Sequence, residues 1–503
     1  MKTNLSISIS LLALGLAACG DNLGSRIDAH IADGATPKDS PHGFEGVQLD
    51  AATPATARIW VVGDMITNNT TIGGGFDDTT ALPLGGANAA PPVILPSATT
   101  TLADSTGYSN FVFDATADGS KIAFVGDLTT VGTFDLYVAN ADGSNPTLLV
   151  AGQTGVEIAS ILFSPDGSMI AYTADSIAIN GGYDMWIVNT TGTPVPVQVS
   201  PARPALSPAP ANQDVGSVPA WSSDSKYLGF TGDLTLDTFN QAYCTDTSQS
   251  PPVTVELLAQ TDIGVQTSGA NGVGGTLKFD NANNAYFSAR VTTGSTQFQL
   301  FQAKPDGTMR TDITSTFPVR TLDNTAPDIG GFSISADGAT LVVNADTPVL
   351  GNYDMWDTDT ATLGAPKNLT NIASPGHANF TAPFWFSPDG TMVAYLATFE
   401  SARNEPYISS LDGSDVAPKR LVSVLATCLD CGTGTPTPDV TIFQWKPDGT
   451  AAYIIGDITN NNVTRGYVID PTMTDQTPTL AVDVPDSGDL FGLEVRVPAP
   501  TIN

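Results

Sequence analysis

The amino-acid sequence predicts an all-β protein built from short four-stranded units that repeat along the chain and close into a ring. Three observations support this prediction: an aspartate-containing turn recurs at intervals of 48–59 residues, strand-like segments flank each turn, and the composition disfavours helices. One four-stranded sheet cannot bury both of its faces, but sheets that stack around an axis cover each other. Repeats of this length with four strands each are typical of a β-propeller.

The composition is dominated by residues that favour turns. The 503 residues include 51 acidic and only 19 basic side chains, which gives a net charge of −32, and all but six of the acids are aspartate. Aspartate disfavours helix interiors, and the 48 glycines and 36 prolines also favour turns between short strands. The charge argues against nucleic acid and anionic lipid headgroups as direct ligands of the folded part.

The turn between strands A and B is the most regular part of each repeat. Its two fullest copies read Ser164-Pro165-Asp166-Gly167 and Ser387-Pro388-Asp389-Gly390. Proline fixes φ and glycine accepts a positive φ, as a tight turn requires. The position three residues before the aspartate is apolar in every copy, as a buried strand demands. The other copies of the turn aspartate are Asp118, Asp224, Asp280, Asp337 and Asp448.

The number of blades follows from how the two ends of the repeat region are read. Seven copies contain the A–B turn, and residues 57–100 look like an eighth copy that lacks strand A. The alternating segment 491–497 is a spare strand at the other end. We expect it to supply the missing inner strand, so that the N- and C-terminal segments pair and close the ring. The sequence therefore predicts eight blades, with seven as the alternative.

The N-terminus resembles that of bacterial lipoproteins. Lys2 and a short apolar run are followed by Leu16-Ala17-Ala18-Cys19, which is similar to the lipobox of that family. The resemblance implies a signal peptide at 1–18, fatty acylation of Cys19 and a membrane anchor in the cell envelope; an ordinary secretory signal is the alternative. Gly20 at the next position is typical of sorting to the outer membrane. Residues 19–56 show no periodicity and are predicted to form a flexible tether before a propeller at 57–503.

The repeats themselves resemble the TolB-like β-propeller family, in which strand A ends in a Ser-Pro-Asp-Gly turn. The strand C run Asp135-Leu136-Tyr137-Val138 is also similar to that family, and the resemblance extends over about residues 110–484. It implies the fold but not a function, because the repeat serves many roles. Related propellers precede hydrolase domains in prolyl-oligopeptidase-like peptidases, but no histidine follows His377, which argues against that chemistry here.

A second aspartate stands at the end of strand B in most repeats, and in five copies it follows the turn aspartate by nine residues. In an A-B-C-D meander the B–C and D–A loops share one face, so these carboxylates should form a ring there. Hard carboxylate oxygens suit Ca²⁺, which makes calcium the first candidate ligand, although the fold requires no cofactor. Alternatively, each carboxylate caps its own loop through backbone amides. The six residues are Asp64, Asp127, Asp175, Asp233, Asp346 and Asp457.

Histidine and cysteine are rare in the repeats. His377 lies in a predicted D–A loop on the same face, where it is either a ligand contact or an ordinary surface residue. Cys428 and Cys431 lie in a loop rich in Gly, Thr and Pro, and in an oxidising compartment they are predicted to form a local disulfide. Cys244 is predicted to be a buried or free thiol.

Taken together, these features predict a binding protein held at the membrane by its lipid anchor. A protein or peptide partner would dock on the loop face or at the mouth of the central tunnel. Two other classes stay open: an enzyme, carbohydrate-active or metal-dependent, with its site at the tunnel mouth, and a carrier for a cation or small ligand. Nucleic acid is not an expected partner.

Overall fold

The computed structural model describes two parts of the chain. The first is the backbone of five strands near the ends: β1 (Phe44–Gln48), β2 (Arg58–Gly63), β3 (Thr79–Ala81), β4 (Val93–Leu95) and a last strand, β33 (Leu490–Arg496). The second is residues 112–482 without 127–134, 141–144, 153–157, 176–181, 203–213, 217–218, 235–238, 259–270, 292–296, 321–322, 348–352, 371–379, 398, 400–403, 416, 423–439, 447–448, 457 and 459–464.

Seven four-stranded antiparallel sheets follow one another along the described chain, each with its strands in the order A-B-C-D. We call them blades 1 to 7. Blade 1 comprises β5 (Phe113–Ala115), β6 (Lys121–Gly126), β7 (Asp135–Asn140) and β8 (Thr147–Val150), and blade 2 comprises β9 (Ile158–Phe163), β10 (Met169–Asp175), β11 (Tyr183–Asn189) and β12 (Val197–Gln198). Blade 3 comprises β13 (Ala220–Trp221), β14 (Tyr227–Gly232), β15 (Phe239–Asp246) and β16 (Val253–Leu258). Blade 4 comprises β17 (Asn271–Phe279), β18 (Ala285–Arg290), β19 (Gln299–Ala303) and β20 (Thr311–Asp312).

Blades 5 to 7 have the same construction. Blade 5 comprises β21 (Ile329–Ile334), β22 (Thr340–Ala345), β23 (Asp354–Asp359) and β24 (Lys367–Asn368). Blade 6 comprises β25 (Phe380–Phe386), β26 (Met392–Ala397), β27 (Glu405–Ser410) and β28 (Lys419–Arg420). Blade 7 comprises β29 (Val440–Trp445), β30 (Ala452–Gly456), β31 (Arg465–Ile469) and β32 (Thr479–Val482). The only helical element among the described residues is a short 3-10 turn at Thr314–Thr316, between blades 4 and 5. The predicted all-β propeller is confirmed.

A further sheet closes the ring, as predicted. Strand β33 pairs antiparallel with β2, with Ile59 opposite Val495 and Val61 opposite Leu493. Strand β33 also contacts β29 and β30 of blade 7 and β5 of blade 1, so it lies between the first and last blades. Its sheet has the order β3-β4-β1-β2-β33, and β1 and β3 run parallel. The alternative count of seven thus describes the four-stranded blades, and a five-stranded sheet of mixed direction occupies the eighth position.

Strand β1 lies inside the segment predicted to be a tether. It pairs with residues Arg58 to Val62 of β2, from Phe44 opposite Val62 to Gln48 opposite Arg58. Repeat patterns could not predict this strand, because it belongs to no repeat. The folded part of the chain therefore begins before residue 57.

The inner strands hold neighbouring blades together. Strand A of one blade contacts strand A of the next at β5–β9, β13–β17, β17–β21, β21–β25 and β25–β29. Indole groups add hydrogen bonds between blades: Trp221 Nε1 donates to the Leu162 carbonyl at 3.3 Å, and Trp445 Nε1 donates to the Trp385 carbonyl at 2.9 Å. Apolar clusters fill the space between blades, for example Met355 of blade 5 with Tyr395 of blade 6.

The A–B turns have the predicted geometry. In blade 2, Asp166 Oδ1 accepts the Ser164 hydroxyl at 2.7 Å and the Ser168 amide at 3.0 Å. The same pair of bonds recurs in most blades, and the glycine after the aspartate has a positive φ, for example 69° at Gly167. Blade 4 departs from the pattern, because Asp280 stands where blades 1, 2, 3, 5 and 6 have serine or threonine and accepts the Asn284 amide at 2.8 Å.

Deletion of the closing strand tests whether the ring depends on it. We expect removal of residues 490–503 to expose the edge of β2 and the flanks of blades 7 and 1. That loss should remove much of a net stability that is typically about 5–15 kcal/mol for a domain. Urea unfolding followed by tryptophan fluorescence measures it. Deletion of 497–503, which leaves β33 intact, is the control; equal stability of the two proteins would contradict closure by β33.

Two turn glycines with the same backbone conformation separate packing from strain. Gly338 and Gly390 have φ of 70° and 68°, so alanine should cost each about 1 kcal/mol in backbone strain. A Cβ at Gly338 would lie 2.2 Å from the Asn281 amide nitrogen, whereas nothing lies within 4 Å of one at Gly390. We expect Gly338→Ala to lower the free energy of unfolding by a further 1–3 kcal/mol or so. Equal losses in the two variants would show that the turns do not press on each other.

Candidate docking face

The two faces of the ring differ in their connections. The A–B and C–D turns lie on one face, which we call the turn face, and they are short and nearly uniform in length. The B–C and D–A connections lie on the opposite face, which we call the loop face. The B–C connections are short and similar in length, whereas the D–A connections vary widely in length. The longest D–A connections cover 199–219 and 421–439. Variable connections on a fixed scaffold are where binding residues usually lie.

Two of the predicted ring carboxylates are tied to the backbone of the loop face. Asp233 Oδ1 accepts the Asp214 amide at 2.7 Å, and Asp346 Oδ1 accepts the Asp328 amide at 2.5 Å. In return, the Asp233 and Asp346 amides donate to the carbonyls of Asp214 and Asp328 at 3.0 and 3.1 Å. Each carboxylate therefore fastens the end of strand B to the D–A connection that precedes the same blade. These hydrogen bonds to backbone amides are the contacts expected if each carboxylate caps a loop instead of binding a metal ion.

The remaining predicted ring positions are less informative. Asp175 is described, half-buried at the end of β10, whereas Asp64, Asp127 and Asp457 lie outside the described residues. Within the described ranges, no group of three or more histidine, cysteine, aspartate or glutamate side chains is arranged to hold a metal ion. Calcium binding by this ring stays a prediction.

The other predicted site residues fall mostly outside the described part. Cys19, His377, Cys428 and Cys431 all lie there. Cys244 is described, buried in β15 and not disulfide-bonded. Burial raises the pKa of its thiol to about 12, helped by the nearby Asp246 carboxylate, so the thiol is protonated at neutral pH.

An arginine replaces the ring aspartate in blade 4. Phe279 pairs with Ala285 in blade 4 as Ile334 pairs with Leu341 in blade 5, so Arg290 occupies the position of Asp346. The Arg290 guanidinium carbon lies 4.2 Å from the centre of the Phe298 ring, close enough for a cation–π contact. The fixed nine-residue offset could not reveal this residue, because the turn of blade 4 is built differently.

A buried arginine anchors the connection between blades 4 and 5. Arg320 is 4% exposed; its Nη1 lies 3.1 Å from Asp346 Oδ2 and its Nη2 lies 3.1 Å from Asp323 Oδ2. Arg320 Nε also donates to Thr325 Oγ1 at 3.0 Å. Beside it, the Thr347 hydroxyl donates to the Pro318 carbonyl at 2.7 Å. These contacts fix the described parts of this turn, 318–320 and 323–325, on the end of strand B of blade 5.

Asp328 joins three segments of the same region. Its Oδ1 accepts the Phe298 amide at 2.6 Å, and its Oδ2 accepts the Tyr353 hydroxyl at 3.0 Å. Burial raises the pKa of the Asp328 carboxyl, although both hydrogen bonds oppose that shift. We call Arg320, Asp323, Asp328, Asp346 and Tyr353 the polar junction. Val319, 48% exposed, lies next to it on the anchored turn.

The loop face also departs from symmetry between blades 3 and 4. The start of β15, strand C of blade 3, pairs in parallel with the start of β17, strand A of blade 4, at Phe239–Asn271 and Asn240–Gly272. Strand β17 then has an irregularity between Val273 and Leu277. Similar irregularities between strands A and B occur in blades 2, 6 and 7, so they do not distinguish this region. Among the described residues, blades 3 to 5 carry the parallel pairing, Arg290 and the polar junction as departures from the repeat.

Sequence reasoning missed a second set of structural carboxylates at the start of strand C. Asp135 accepts the Gly152 amide at 2.6 Å and the Tyr137 hydroxyl at 2.7 Å, and Asp354 accepts the Thr370 hydroxyl at 2.7 Å. The bonds from Gly152 and Thr370 join the start of strand C to the residues that follow strand D. An acidic residue two positions before a strand C tyrosine, as in Asp135 and Tyr137, is the pattern that could have revealed them.

Aspartates of the turn face accept hydrogen bonds from hydroxyl and amide groups of their own turns. Hydrogen bonds from the Ser335 hydroxyl and the Ala339 amide lower the pKa of the Asp337 carboxyl, and the Ser387 hydroxyl and Thr391 do the same for Asp389. These carboxylates are ionised at neutral pH and serve the turns. In the part of the chain that the structure describes, no helix has the length and apolar character needed to cross a membrane.

Comparisons with known proteins give weak similarities. No family model matches this chain, and no curated protein sequence matches it. A similar solved structure is TolB from Acinetobacter baumannii, 17% identical with a TM-score of 0.32, covering 67% of this chain and 78% of that one. Another is an oligogalacturonate lyase in complex with manganese, 14% identical with a TM-score of 0.45, covering 87% and 98%.

A third is the β-propeller domain of the trilobed protease from Pyrococcus furiosus, 11% identical with a TM-score of 0.42, covering 76% of this chain and 98% of that one. At these identities and TM-scores, the similarities add no argument about function. The propeller assignment rests on the sheets of the chain itself.

Replacement of Asp346 separates a capping role from a metal-binding role. Asparagine at this position would leave the buried Arg320 without its 3.1 Å carboxylate partner, and we expect a loss of about 3 kcal/mol in the free energy of unfolding. Asp323→Asn removes the 37% exposed partner of the same arginine and should cost less than about 1 kcal/mol. Thermal unfolding with and without Ca²⁺ measures both. A calcium-induced rise in Tm that Asp346→Asn abolishes would contradict a purely structural role.

Proposed function

We propose that this chain is a cell-envelope lipoprotein, anchored in the outer membrane through Cys19, whose propeller is a docking scaffold for a protein or peptide partner. The partner binds on the loop face in the sector of blades 3 to 5. The observation that carries the proposal is the asymmetry of that face: the polar junction, Arg290 and the β15–β17 pairing all depart from the repeat in one sector.

The geometry of the polar junction suits recognition better than catalysis. Arg320 and Asp346 are paired with each other and with backbone or hydroxyl groups, so their role is to hold the 318–325 turn in place. A turn fixed in advance loses little conformational entropy when a partner binds. The exposed side chain of Val319 offers apolar surface on that turn. The high negative charge of the chain favours a partner with basic residues.

Site-specific photocrosslinking tests the docking face. A photoreactive amino acid at Val319, on the loop face, should yield one dominant protein adduct in cells that make the full chain. The same amino acid at Met473, which is 53% exposed in a C–D turn of the turn face, is the matched control and should yield none. Mass spectrometry identifies the adduct.

Two further outcomes decide between the proposal and its rivals. In a Cys19→Ser variant the protein should leave the membrane fraction, and the adduct should weaken if the partner is met at the membrane. Adducts from neither position, together with a metal retained by the purified protein, would overturn docking in favour of a cation carrier or a metal-dependent enzyme.

A further inference from the structure

The junction between blades 5 and 6 is more open on the turn face than its neighbours. A Cβ at Gly338 would press on Asn281 of blade 4, and one at Gly449 would lie 3.9 Å from Pro388 Cδ of blade 6. The corresponding position at the junction of blades 5 and 6 is Gly390, and a Cβ there would have nothing within 4 Å. Contacts between blades 5 and 6 on the turn face must therefore come from other groups.

Lys367 spans this junction. It is the first residue of β24, and its Nζ donates to the Leu411 carbonyl in the C–D turn of blade 6 at 3.3 Å. Its side-chain carbons also pack on the position of Gly413 in that turn, where a Cβ would meet them at 3.5 Å. The same Nζ lies 4.0 Å from Asp357 Oδ2 in its own blade. One ammonium group therefore serves a carbonyl of blade 6 and a carboxylate of blade 5.

Asp357 is buried at this junction. It lies in β23 two positions after Met355, and alternate residues of a strand share a face, so Asp357 is directed towards blade 6 as Met355 is. Its side chain is 7% exposed, and its Oδ1 has no hydrogen-bond partner among the described residues. Burial raises the pKa of this carboxyl to about 6; Lys367 opposes the shift, and the Asp412 carboxylate adds to it.

The charged and titratable groups around Asp357 come from both blades. Lys367 faces it from strand D of its own blade, and Asp412 from the C–D turn of blade 6. Tyr395, in strand B of blade 6, belongs to the same cluster as Met355, and its hydroxyl is 2.9 Å from Ser409 Oγ. Asp415, in the same turn as Asp412, accepts the Ser410 amide at 2.5 Å.

We propose that Asp357, Lys367 and Asp412 form a proton-sensitive contact, which tightens the junction of blades 5 and 6 when Asp357 takes up a proton. As a carboxylate, Asp357 has a buried oxygen without a donor and competes with the Leu411 carbonyl for the Lys367 ammonium. Once Asp357 is neutral, the junction no longer contains its buried negative charge. The Lys367 ammonium then interacts only with the Leu411 carbonyl and the Asp412 carboxylate of blade 6. Acidification therefore stabilises the junction of blades 5 and 6.

The sign of the effect follows from proton linkage. A carboxyl whose pKa is higher in the closed junction than in an opened one binds its proton more tightly when closed. Its stabilising contribution therefore grows as the pH falls through about 6 and is complete below the ordinary value of 3.8. Between pH 7.5 and pH 5, the opening equilibrium should fall by about tenfold.

Hydrogen exchange measures this opening in the full chain. Exchange of the amides in β23 and in 405–415, corrected for intrinsic rates, should slow by about tenfold from pH 7.5 to pH 5 in the wild type. Asp357→Asn removes the titrating group, so exchange should be slow and the same at both pH values. Corrected exchange that does not depend on pH in the wild type, or the same dependence in Asp357→Asn, would overturn the proposal.

Two more variants keep the test decisive if Asp357→Asn folds poorly. Asp412→Asn removes the like charge that favours protonation, so the midpoint of the exchange transition should move to lower pH. Lys419→Met is the matched control: Lys419 makes the equivalent bond from blade 6 to the Pro471 carbonyl of blade 7, at 2.9 Å. This variant should loosen the junction of blades 6 and 7 and leave the pH dependence at blades 5 and 6 unchanged; a midpoint that Asp412→Asn does not move contradicts the proposal.

Discussion

The fold depends on apolar packing between sheets that cannot stand alone. Each blade buries one face against the blade before it and the other against the blade after it, as the clusters that combine residues of blades 5 and 6 or of blades 6 and 7 show. Removing apolar surface from water contributes roughly 25 cal/mol for every Å² buried, and in this architecture that gain is available only when every blade has two neighbours. The five-stranded closing sheet meets this requirement for the first and last blades.

Polar groups fix the positions of the blades once packing has brought them together. Lysines at the start of strand D reach the C–D turn of the next blade, as Lys367 does at Leu411 and Lys419 does at Pro471. Carboxylates at the ends of strands fasten connections on the loop face. Some of the 19 basic and some of the 51 acidic side chains are therefore structural, and the excess of acids accounts for the strongly negative charge of the chain.

Local chemistry explains why some features could be predicted from the sequence and others could not. The A–B turns were predictable because the aspartate, its hydroxyl partner and the glycine lie within a few residues of each other. The role of Asp346 was not, because its partners Asp328 and Arg320 lie in a connection with no repeated pattern. Arg290 was hidden by a turn of different construction, and β1 by the lack of any repeat in its segment. The pairing of β2 with β33 was predictable because the incomplete repeat at 57–100 lacks strand A, whereas the C-terminal segment 491–497 is a strand that belongs to no other repeat.

The order in which strands reach the ring has a consequence for biogenesis. Strand β33 comes last among the described strands, yet its partner β2 precedes the seven blades, so more than 400 residues separate the two. Contacts between such distant segments form late in folding, because a long stretch of chain must first be brought together. During synthesis or export the nascent protein would pass through an open arc in which the edge of β2 is unpaired and the flanks of the first and last blades are uncovered. Such edges are sites of mispairing, so a chaperone that shields them until the last strand arrives would raise the yield of closed rings.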